Sequence, residues 1–238
     1  MGIQSARVAF PRMDMVTLIA FDYDGTLATN GTVASQTTVS LRALFASGRK
    51  LILATGRQLH ELLGIFPEVA LFGWVIAENG AVIYETATRK SELVGHPPPS
   101  EFVRILANDG VKPLSTGKVV VATHSCHAAR LRSLIHQMHL QHEVILNKDA
   151  AMVLPKGVNK GSALQSLLRR LGIDKEEVLC AGDGENDVDL FNASGLRVAV
   201  ANAVPELKAQ AHWVTRASEG LGVQELSETL VSSGYEST

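Results

Sequence analysis

The chain has 238 residues, a formal net charge of -2, and 46% hydrophobic against 19% charged residues. This composition supports a folded core and excludes a largely disordered chain. The near-balance of charge, without a basic stripe, argues against a nucleic-acid-binding protein. The length suits either one large domain or a core with an inserted module.

The N-terminal stretch does not resemble a secretory signal, because polar residues and a proline interrupt its apolar residues. We therefore expect residues 1–15 to form a loose leader. The chain has no run of eighteen apolar residues, so we expect no membrane-spanning helix. Its two cysteines, Cys126 and Cys180, could form one disulfide, but reduced thiols in the cytoplasm are the favoured interpretation.

Short apolar runs alternate with helical patterns along much of the chain. The runs predict strands at residues 16–21, 50–54, 74–77, 178–181, 197–200 and 212–215. Between them, apolar spacing and terminal glycines predict helices at residues 38–47, 161–171, 185–193 and 205–211. The alternation predicts an α/β fold with a doubly wound, mostly parallel, Rossmann-like sheet.

Residues 83–156 do not continue the alternation of buried strands and helices, and they predict a small α+β domain inserted as a cap. Its expected helices are residues 100–108 and 127–140, and its expected strands are residues 117–123, 143–146 and 151–154. The catalytic core would then comprise residues 1–82 and 157–238. We expect the insert to lie over the strand ends.

Two carboxylates, Asp22 and Asp24, follow the first predicted strand two residues apart. Side chains alternate along a strand, so both should point to the same side. Like charges this close need a divalent cation or a shared proton. A metal-assisted phosphoryl-transfer enzyme has a use for such a pair, with Asp22 as nucleophile and Asp24 as general acid and base.

Other polar groups should meet this pair, because ligands bind beyond the carboxyl ends of parallel strands. Thr55 could donate its hydroxyl to phosphoryl oxygens, and Lys160 could neutralise the nucleophile and the phosphate together. Asp183 and Asp187 offer carboxylates to a metal, for which Mg²⁺ is the expected ion. Asn186 could orient substrate or Asp22.

Four segments together resemble the ordered motifs of the haloacid-dehalogenase-like superfamily. The segments are Asp22-Tyr23-Asp24-Gly25-Thr26, Thr55-Gly56-Arg57, Asn159-Lys160-Gly161 and Gly182-Asp183-Gly184-Glu185-Asn186-Asp187. The Glu78-Asn79-Gly80-Ala81 segment and the insert are similar to those of the Cof-type, or type IIB, phosphatases. The insert is short for a Cof-type cap and closer in size to those of archaeal phosphoglycolate phosphatases and sucrose-phosphate phosphatases.

The resemblance implies Asp22 as nucleophile and Asp24 as acid and base. It implies Mg²⁺ on the Asp22 side chain, the Asp24 backbone carbonyl and Asp183, with Asp187 close by. The implied phosphate-binding residues are Thr55, Gly56, Lys160 and Asn186. Arg57 could contact substrate phosphate or only close its helix turn, and both alternatives stay open.

We therefore expect a Mg²⁺-dependent phosphatase that acts on a small phosphorylated metabolite, either a sugar phosphate or a phosphoglycolate-like acid. A phosphomutase of the same superfamily is the first alternative. A module that is phosphorylated on Asp22 without turnover is a more remote one. The sequence leaves the oligomeric state open.

A group of histidines between residues 124 and 142, together with Cys126, raises a second metal hypothesis. His136 and His139 are one helical turn apart, a spacing that zinc ligands can use. The spacings match no closed four-ligand pattern, so a polar face of the cap that touches substrate is the favoured interpretation.

Overall fold

The structure is a computed structural model that describes residues 13–233. Within this range the strands, in chain order, are β1 (Leu18–Asp22), β2 (Ala28–Thr29), β3 (Thr32–Val33), β4 (Lys50–Ala54), β5 (Trp74–Ala77), β6 (Val82–Glu85), β7 (Lys90–Leu93), β8 (Leu114–Thr116), β9 (Val121–His124), β10 (His142–Asn147), β11 (Ala150–Pro155), β12 (Val178–Gly182), β13 (Leu196–Ala199) and β14 (Trp213–Val214). The α-helices are α1 (Ser35–Ala46), α2 (Leu59–Ile65), α3 (Ser100–Asn108), α4 (Ala128–Gln137), α5 (Lys160–Leu171), α6 (Val188–Asn192), α7 (Pro205–Lys208) and α8 (Glu219–Ser233).

The larger sheet has eight strands in the order β14-β13-β12-β1-β4-β5-β6-β7. The strands from β14 to β5 are parallel, and β6 and β7 continue the sheet as an antiparallel hairpin. All five residues of the central strand β1 are buried. Ile19 and Phe21 belong to the apolar core on one face, whereas Leu18 and Ala20 belong to the core on the other. This two-sided burial confirms the predicted α/β fold with a mostly parallel sheet.

The insert is built on a second, four-stranded antiparallel sheet in the order β10-β11-β9-β8, between β7 and α5 in the chain. Residues of α3 and α4 pack against this sheet around their own apolar core, which includes Phe102, Leu106, Leu131 and Val153. A smaller apolar cluster contains Ala81 beside β5 together with Met152 and Leu154 of the insert. The insert therefore has its own core and an apolar contact with the larger sheet.

The predicted start of the insert at residue 83 differs from the sheet topology. Val82–Glu85 and Lys90–Leu93 pair with the larger sheet, so the four-stranded module begins after β7. The reason is the tight turn Glu78–Gly80, in which Asn79 has a left-handed backbone with φ of 55°. This turn reverses the chain immediately after β5, and β6 pairs back onto it.

The predicted leader, residues 1–15, lies mostly outside the described residues. Its last three residues form a short 3-10 helix, Met13–Met15, and the Met13 side chain is buried in the main core. Within residues 13–233 no helix combines the length and apolarity needed to cross a bilayer. Cys126 is exposed and Cys180 is buried, and both are free thiols.

Candidate active site

The predicted site residues meet at the carboxyl edge of the larger sheet. Asp22 is the last residue of β1, Thr55 directly follows β4, and Asp183 directly follows β12. These three strands are adjacent and parallel in the sheet. The topology therefore brings together side chains from distant parts of the chain.

Three buried carboxylates form the centre of this edge. Asp22, Asp183 and Asp187 each offer an oxygen, and these oxygens lie within 4.8 Å of one another. The fourth predicted metal residue, Asp24, is outside this side-chain group. The structure thus brings together the side chains of Asp22, Asp183 and Asp187. The family resemblance assigns Asp24 to the metal through its backbone carbonyl, which this side-chain group does not include.

Lys160 inserts a buried ammonium into this carboxylate group. Its Nζ lies 2.5 Å from Asp22 Oδ1 and 2.7 Å from Asp187 Oδ1. Lys160 is the first residue of α5, where the Asn159 side chain accepts the Ser162 N–H at 2.7 Å and the Ser162 hydroxyl accepts the Asn159 N–H. This reciprocal cap fixes the start of α5. It thereby holds Lys160 where it can reach both carboxylates.

Asp187 organises the loop that carries Asp183. Its Oδ2 accepts the backbone N–H groups of Asp183 and Gly184, both at 2.9 Å, while its Oδ1 binds Lys160. Both oxygens of Asp187 are therefore engaged by the protein itself. This arrangement points to a positioning role more than to direct metal ligation.

Asp183 approaches the loop after β1 very closely. Its Oδ1 accepts the Thr26 hydroxyl at 3.1 Å, and its Oδ2 accepts the Lys148 ammonium at 2.7 Å. Gly25 has φ of +88°, and a Cβ at that position would collide with the Asp183 carboxylate. Glycine at this position allows both the left-handed backbone and the close approach.

The electrostatics of the cluster favour a further positive charge. Burial and the nearby charge of Asp187 raise the pKa of Asp22 well above its usual value, although Lys160 opposes the shift. Burial is also the main cause of the raised pKa of Asp183. Burial alone would lower the pKa of Lys160, but Asp187 and Asp22 raise it, so the ammonium stays charged. One buried ammonium does not fully offset the acidic groups around it.

Asp24 pairs with Arg57 at the more open side of the site. The guanidinium Nε and Nη2 donate to the two carboxylate oxygens of Asp24 at 2.6 and 2.7 Å. Arg57 also lies over the Tyr23 ring, 5.5 Å from its centroid. The hydrogen bond to Asp24 raises the pKa of Arg57. Neither role proposed for Arg57 from the sequence included this pair.

Thr55 is fully buried and its hydroxyl accepts the Arg57 backbone N–H at 3.0 Å, which leaves the hydroxyl proton free to be donated. The Thr55 carbonyl accepts the Asn79 N–H at 2.9 Å, so the loops after β4 and β5 are joined. Asn186 Nδ2 donates to Asn79 Oδ1 at 2.8 Å. Asn186 thus contacts the loop after β5, whereas the sequence analysis paired it with substrate or Asp22.

Sequence reasoning gave no role to two residues that join the insert to the core. The buried Glu78 carboxylate accepts three backbone N–H groups of the insert, from Lys118, Val119 and Val120, at 2.8–3.0 Å. Lys148 reaches Asp183 from the turn between β10 and β11. No local pattern signals either contact, because each depends on how the two modules are placed.

The histidines between residues 124 and 142 have separate surroundings. His127 contacts the Lys112 carbonyl and His142 contacts the His96 carbonyl. The rings of His136 and His139 have centroids 6.4 Å apart. Among the described residues, the acidic group at Asp22 is the only one whose ligand atoms are close enough to hold a metal, so the geometry does not support a zinc site here.

The chain is similar to known proteins over most of its length. A family model described as haloacid dehalogenase-like hydrolase matches residues 19–109 and 115–226. The phosphoglycolate phosphatase of Methanothermobacter thermautotrophicus is 32% identical over 215 residues, which cover 87% of this chain and 95% of that protein. Phosphoglycolate phosphatase 2 of Saccharolobus solfataricus is 30% identical over 225 residues, covering 92% and 94%.

Solved structures share the fold. Thermoplasma acidophilum 0175 superposes with a TM-score of 0.78 at 18% identity, covering 91% of this chain and 98% of that one. A haloacid dehalogenase-like hydrolase from Bacteroides thetaiotaomicron gives a TM-score of 0.76 at 20% identity, covering 90% and 98%.

Proposed function

This chain belongs to the haloacid dehalogenase-like hydrolases and is a phosphatase, and we propose that it hydrolyses a small phosphorylated metabolite with Mg²⁺ through an aspartyl-phosphate on Asp22. The observation that carries the proposal is the buried group of Asp22, Asp183 and Asp187 around Lys160. A phosphoglycolate-like acid is the substrate class that the named relatives favour. Their names also favour transfer to water over the transfer to a second hydroxyl that a mutase performs.

The donor set of the site fits Mg²⁺. The group contains only carboxylate oxygens, which a hard divalent cation prefers, and it includes no histidine or thiol. Burial raises the pKa of Asp22 and that of Asp183, which supports the uptake of additional positive charge at this site. Asp22 and Asp183 would hold the ion. Asp187 is bound by the buried Lys160 and by two backbone N–H groups, whereas Asp183 is bound by the Thr26 hydroxyl and by the half-exposed Lys148 ammonium, which an ion can displace. When bound, the cation would neutralise negative charge shared by Asp22 and the substrate phosphate.

In the first step an Asp22 oxygen attacks phosphorus, and the bond from phosphorus to the ester oxygen breaks. The leaving oxygen keeps the electron pair and takes a proton from Asp24. The Thr55 hydroxyl would donate to a phosphoryl oxygen, and Lys160 would hold Asp22 in place. In the second step Asp24 takes a proton from water as the water attacks phosphorus, which releases phosphate and regenerates Asp22.

The ion pair with Arg57 bears on how Asp24 acts. Both oxygens of Asp24 accept hydrogen bonds from the guanidinium, so in this pair Asp24 is an ionised carboxylate. Before it can protonate the leaving group, at least one of these hydrogen bonds must open and Asp24 must take up a proton from solvent. The Arg57 and Asp24 side chains are 31% and 42% exposed, so an incoming phosphate can reach the guanidinium. The Arg57 guanidinium can then bind the substrate phosphate in place of the Asp24 carboxylate, so substrate binding would free Asp24 to act as the general acid.

We also propose that the inserted module acts as a cap, as the sequence predicts, with its start moved to follow β7. Closure of the cap would exclude bulk water and select the leaving group. The Met152 side chain supports this placement, because its sulfur lies 3.6 Å from the position that a Cβ on Gly56 would take. The cytoplasmic location expected from the sequence remains part of this proposal.

The test is phosphate release by Asp22→Asn, with the exposed Asp174→Asn as the matched control. The first variant should lose turnover, and the control should retain it. Retention of more than about a tenth of the wild-type rate by Asp22→Asn would rule Asp22 out as nucleophile. EDTA should stop the wild-type reaction and Mg²⁺ should restore it, while formation of a phosphate isomer without free phosphate would favour the mutase.

A further inference from the structure

The segment of residues 147–149, which includes the turn between β10 and β11, packs against the loop that carries Asp183. The Lys148 backbone N–H donates to Glu185 Oε2 at 3.1 Å. A Cβ on Gly184 would collide with Asn147 Oδ1, so the two loops are in close contact. The Asp149 carbonyl accepts the Ser125 N–H at 2.7 Å, which ties the turn to its own module. This turn is therefore anchored in the insert and contacts the loop of the acidic cluster.

Lys148 adopts an uncommon backbone conformation at the tip of this turn. Its φ is 51°, in the left-handed region where glycine and asparagine are the residues most easily accommodated. Outliers of this kind concentrate at functional sites. A lysine at this position directs a long cationic side chain toward the site.

The Lys148 ammonium links solvent to the buried site. Its Nζ lies 2.7 Å from Asp183 Oδ2, and the Lys148 side chain is 49% exposed whereas that of Asp183 is 2% exposed. The two other cations of the site are committed to core carboxylates, Lys160 to Asp22 and Asp187, and Arg57 to Asp24. Lys148 is the member of this trio that comes from the insert, and its side chain is the most exposed of the three, against 31% for Arg57 and 1% for Lys160.

We propose that Lys148 determines specificity for the leaving group by binding a negatively charged group, such as a carboxylate, on that part of the substrate. This inference rests on the proposed function. Asp183 is one of the carboxylates that fit a divalent cation, so a cation there would replace the ammonium as the charge partner of Asp183. The ammonium would then be available to an anion on the substrate.

The position of Lys148 favours the leaving group over the phosphoryl group. In an in-line displacement the leaving oxygen lies opposite the attacking Asp22 oxygen. Asp22 and Lys160 belong to the core, whereas Lys148 comes from the module that would cover the other side of a bound ester. A carboxylate presented to an ammonium gains a charge-assisted hydrogen bond that a methyl group in the same place lacks.

The test compares two esters that differ at one group, phosphoglycolate and ethyl phosphate, in which a methyl replaces the carboxylate. Binding is measured by calorimetry with Mg²⁺ on an inert Asp22→Asn background, and kcat/KM is measured on the otherwise wild-type chain. Lys148→Met should reduce the preference for phosphoglycolate over ethyl phosphate by about tenfold or more in both measurements. Lys148→Arg should keep most of the preference.

The matched control is Lys118→Met, which removes another exposed lysine of the same module whose ammonium contacts Ser91. The control should leave the preference unchanged. A Lys148→Met chain that weakens both esters equally, or neither, would overturn the inference and indicate that Lys148 only closes the module onto Asp183. If the wild type releases phosphate from neither ester, the proposed substrate class and this inference both fail. If the wild type turns over phosphoglycolate but Lys148→Met keeps the same preference for it over ethyl phosphate, this inference alone fails.

Discussion

Replacing Lys160 with methionine tests how far the buried ion network supports the fold. The methionine keeps much of the length and volume of the side chain but removes the charge. Lys160 is fully buried, and its two partners, Asp22 and Asp187, are 5% and 0% exposed. The variant would leave two carboxylates that solvent cannot reach without the cation that now lies between them.

The expected loss is large because removing one partner of a buried pair leaves uncompensated charge. Such changes cost about 3–5 kcal/mol. For a chain of this size each kcal/mol lowers Tm by about 2–4 °C, so we expect a fall of about 6–20 °C. A second substitution, Asp187→Asn, should recover part of the loss by removing one of the unpaired charges.

The loss should also depend on pH in a defined direction. In the variant the pKa of Asp22 in the folded state rises further, because burial and Asp187 raise it and Lys160 no longer lowers it. The folded state then binds a proton that the unfolded state does not, so its stability falls as pH rises. The free energy of unfolding that Lys160→Met loses relative to the wild type should therefore be larger at pH 8 than at pH 5.

The assay is thermal unfolding followed by circular dichroism at both pH values, with EDTA present, and Lys118→Met is the surface control. The control should stay within about 0.5 kcal/mol of the wild type. A Lys160→Met deficit below about 1 kcal/mol at pH 8, or one that grows on acidification, would refute the reasoning.

Three further predictions follow from other contacts of the site. Arg57→Gln should lower kcat/KM by about tenfold or more, because Asp24 loses the partner that positions it, while Tm should change little because the pair is partly exposed. Steady-state kinetics and thermal unfolding check this, and a loss of stability without a loss of rate would contradict it. Glu78→Gln should lower the free energy of unfolding by about 1–3 kcal/mol and speed amide hydrogen exchange at residues 118–120, because an amide offers these N–H groups one oxygen where the carboxylate offers two. Unchanged exchange at these residues would count against the role of this contact. Burial and a neighbouring carboxylate raise the pKa of Asp22, so a proton should compete with Mg²⁺ for this carboxylate and weaken Mg²⁺ binding already at a pH above the ordinary aspartate pKa of 3.8. Calorimetry measures the affinity, and an affinity that stays constant down to that pH would contradict the assignment of Asp22 as a ligand.

The sequence predicted the core sheet, and the residues that follow its central strands, for a physical reason. Strands buried on both faces are continuous apolar runs, and parallel connectivity places their carboxyl ends at one edge. The predicted strands at residues 50–54 and 74–77 coincide with β4 and β5. The positions of Asp22, Thr55 and Asp183 follow from that rule alone.

Other elements were missed because local signals were weak or misleading. The long helix α8 begins with glycines at positions 220 and 222, which lower its helical propensity. Gly220 is needed there because a Cβ would collide with the Thr37 side chain of α1. The β6–β7 hairpin was assigned to the insert, since nothing in its residues indicates which sheet it joins.

The side-chain partners within the site were the least predictable feature. The Arg57–Asp24 pair joins the loops after β1 and β4, and the Lys148–Asp183 pair joins the two modules. Both contacts depend on the relative placement of distant segments, and the chain carries no periodic pattern that encodes them. The sequence thus predicted which of these residues lie near one another at the sheet edge but not the pairs that they form.

The measurement that tests the central claim most directly is the detection of phosphate on Asp22. In Asp24→Asn the second step loses its base. With an aryl phosphate, whose leaving oxygen departs without a proton, the first step does not need the lost acid, so a phosphoenzyme should accumulate with Mg²⁺. Rapid quenching, proteolysis and mass spectrometry should then find one phosphoryl group on the peptide that contains Asp22. A phosphoryl group on another residue, or turnover by the wild type with no phosphorylated Asp22 in either protein, would contradict the account.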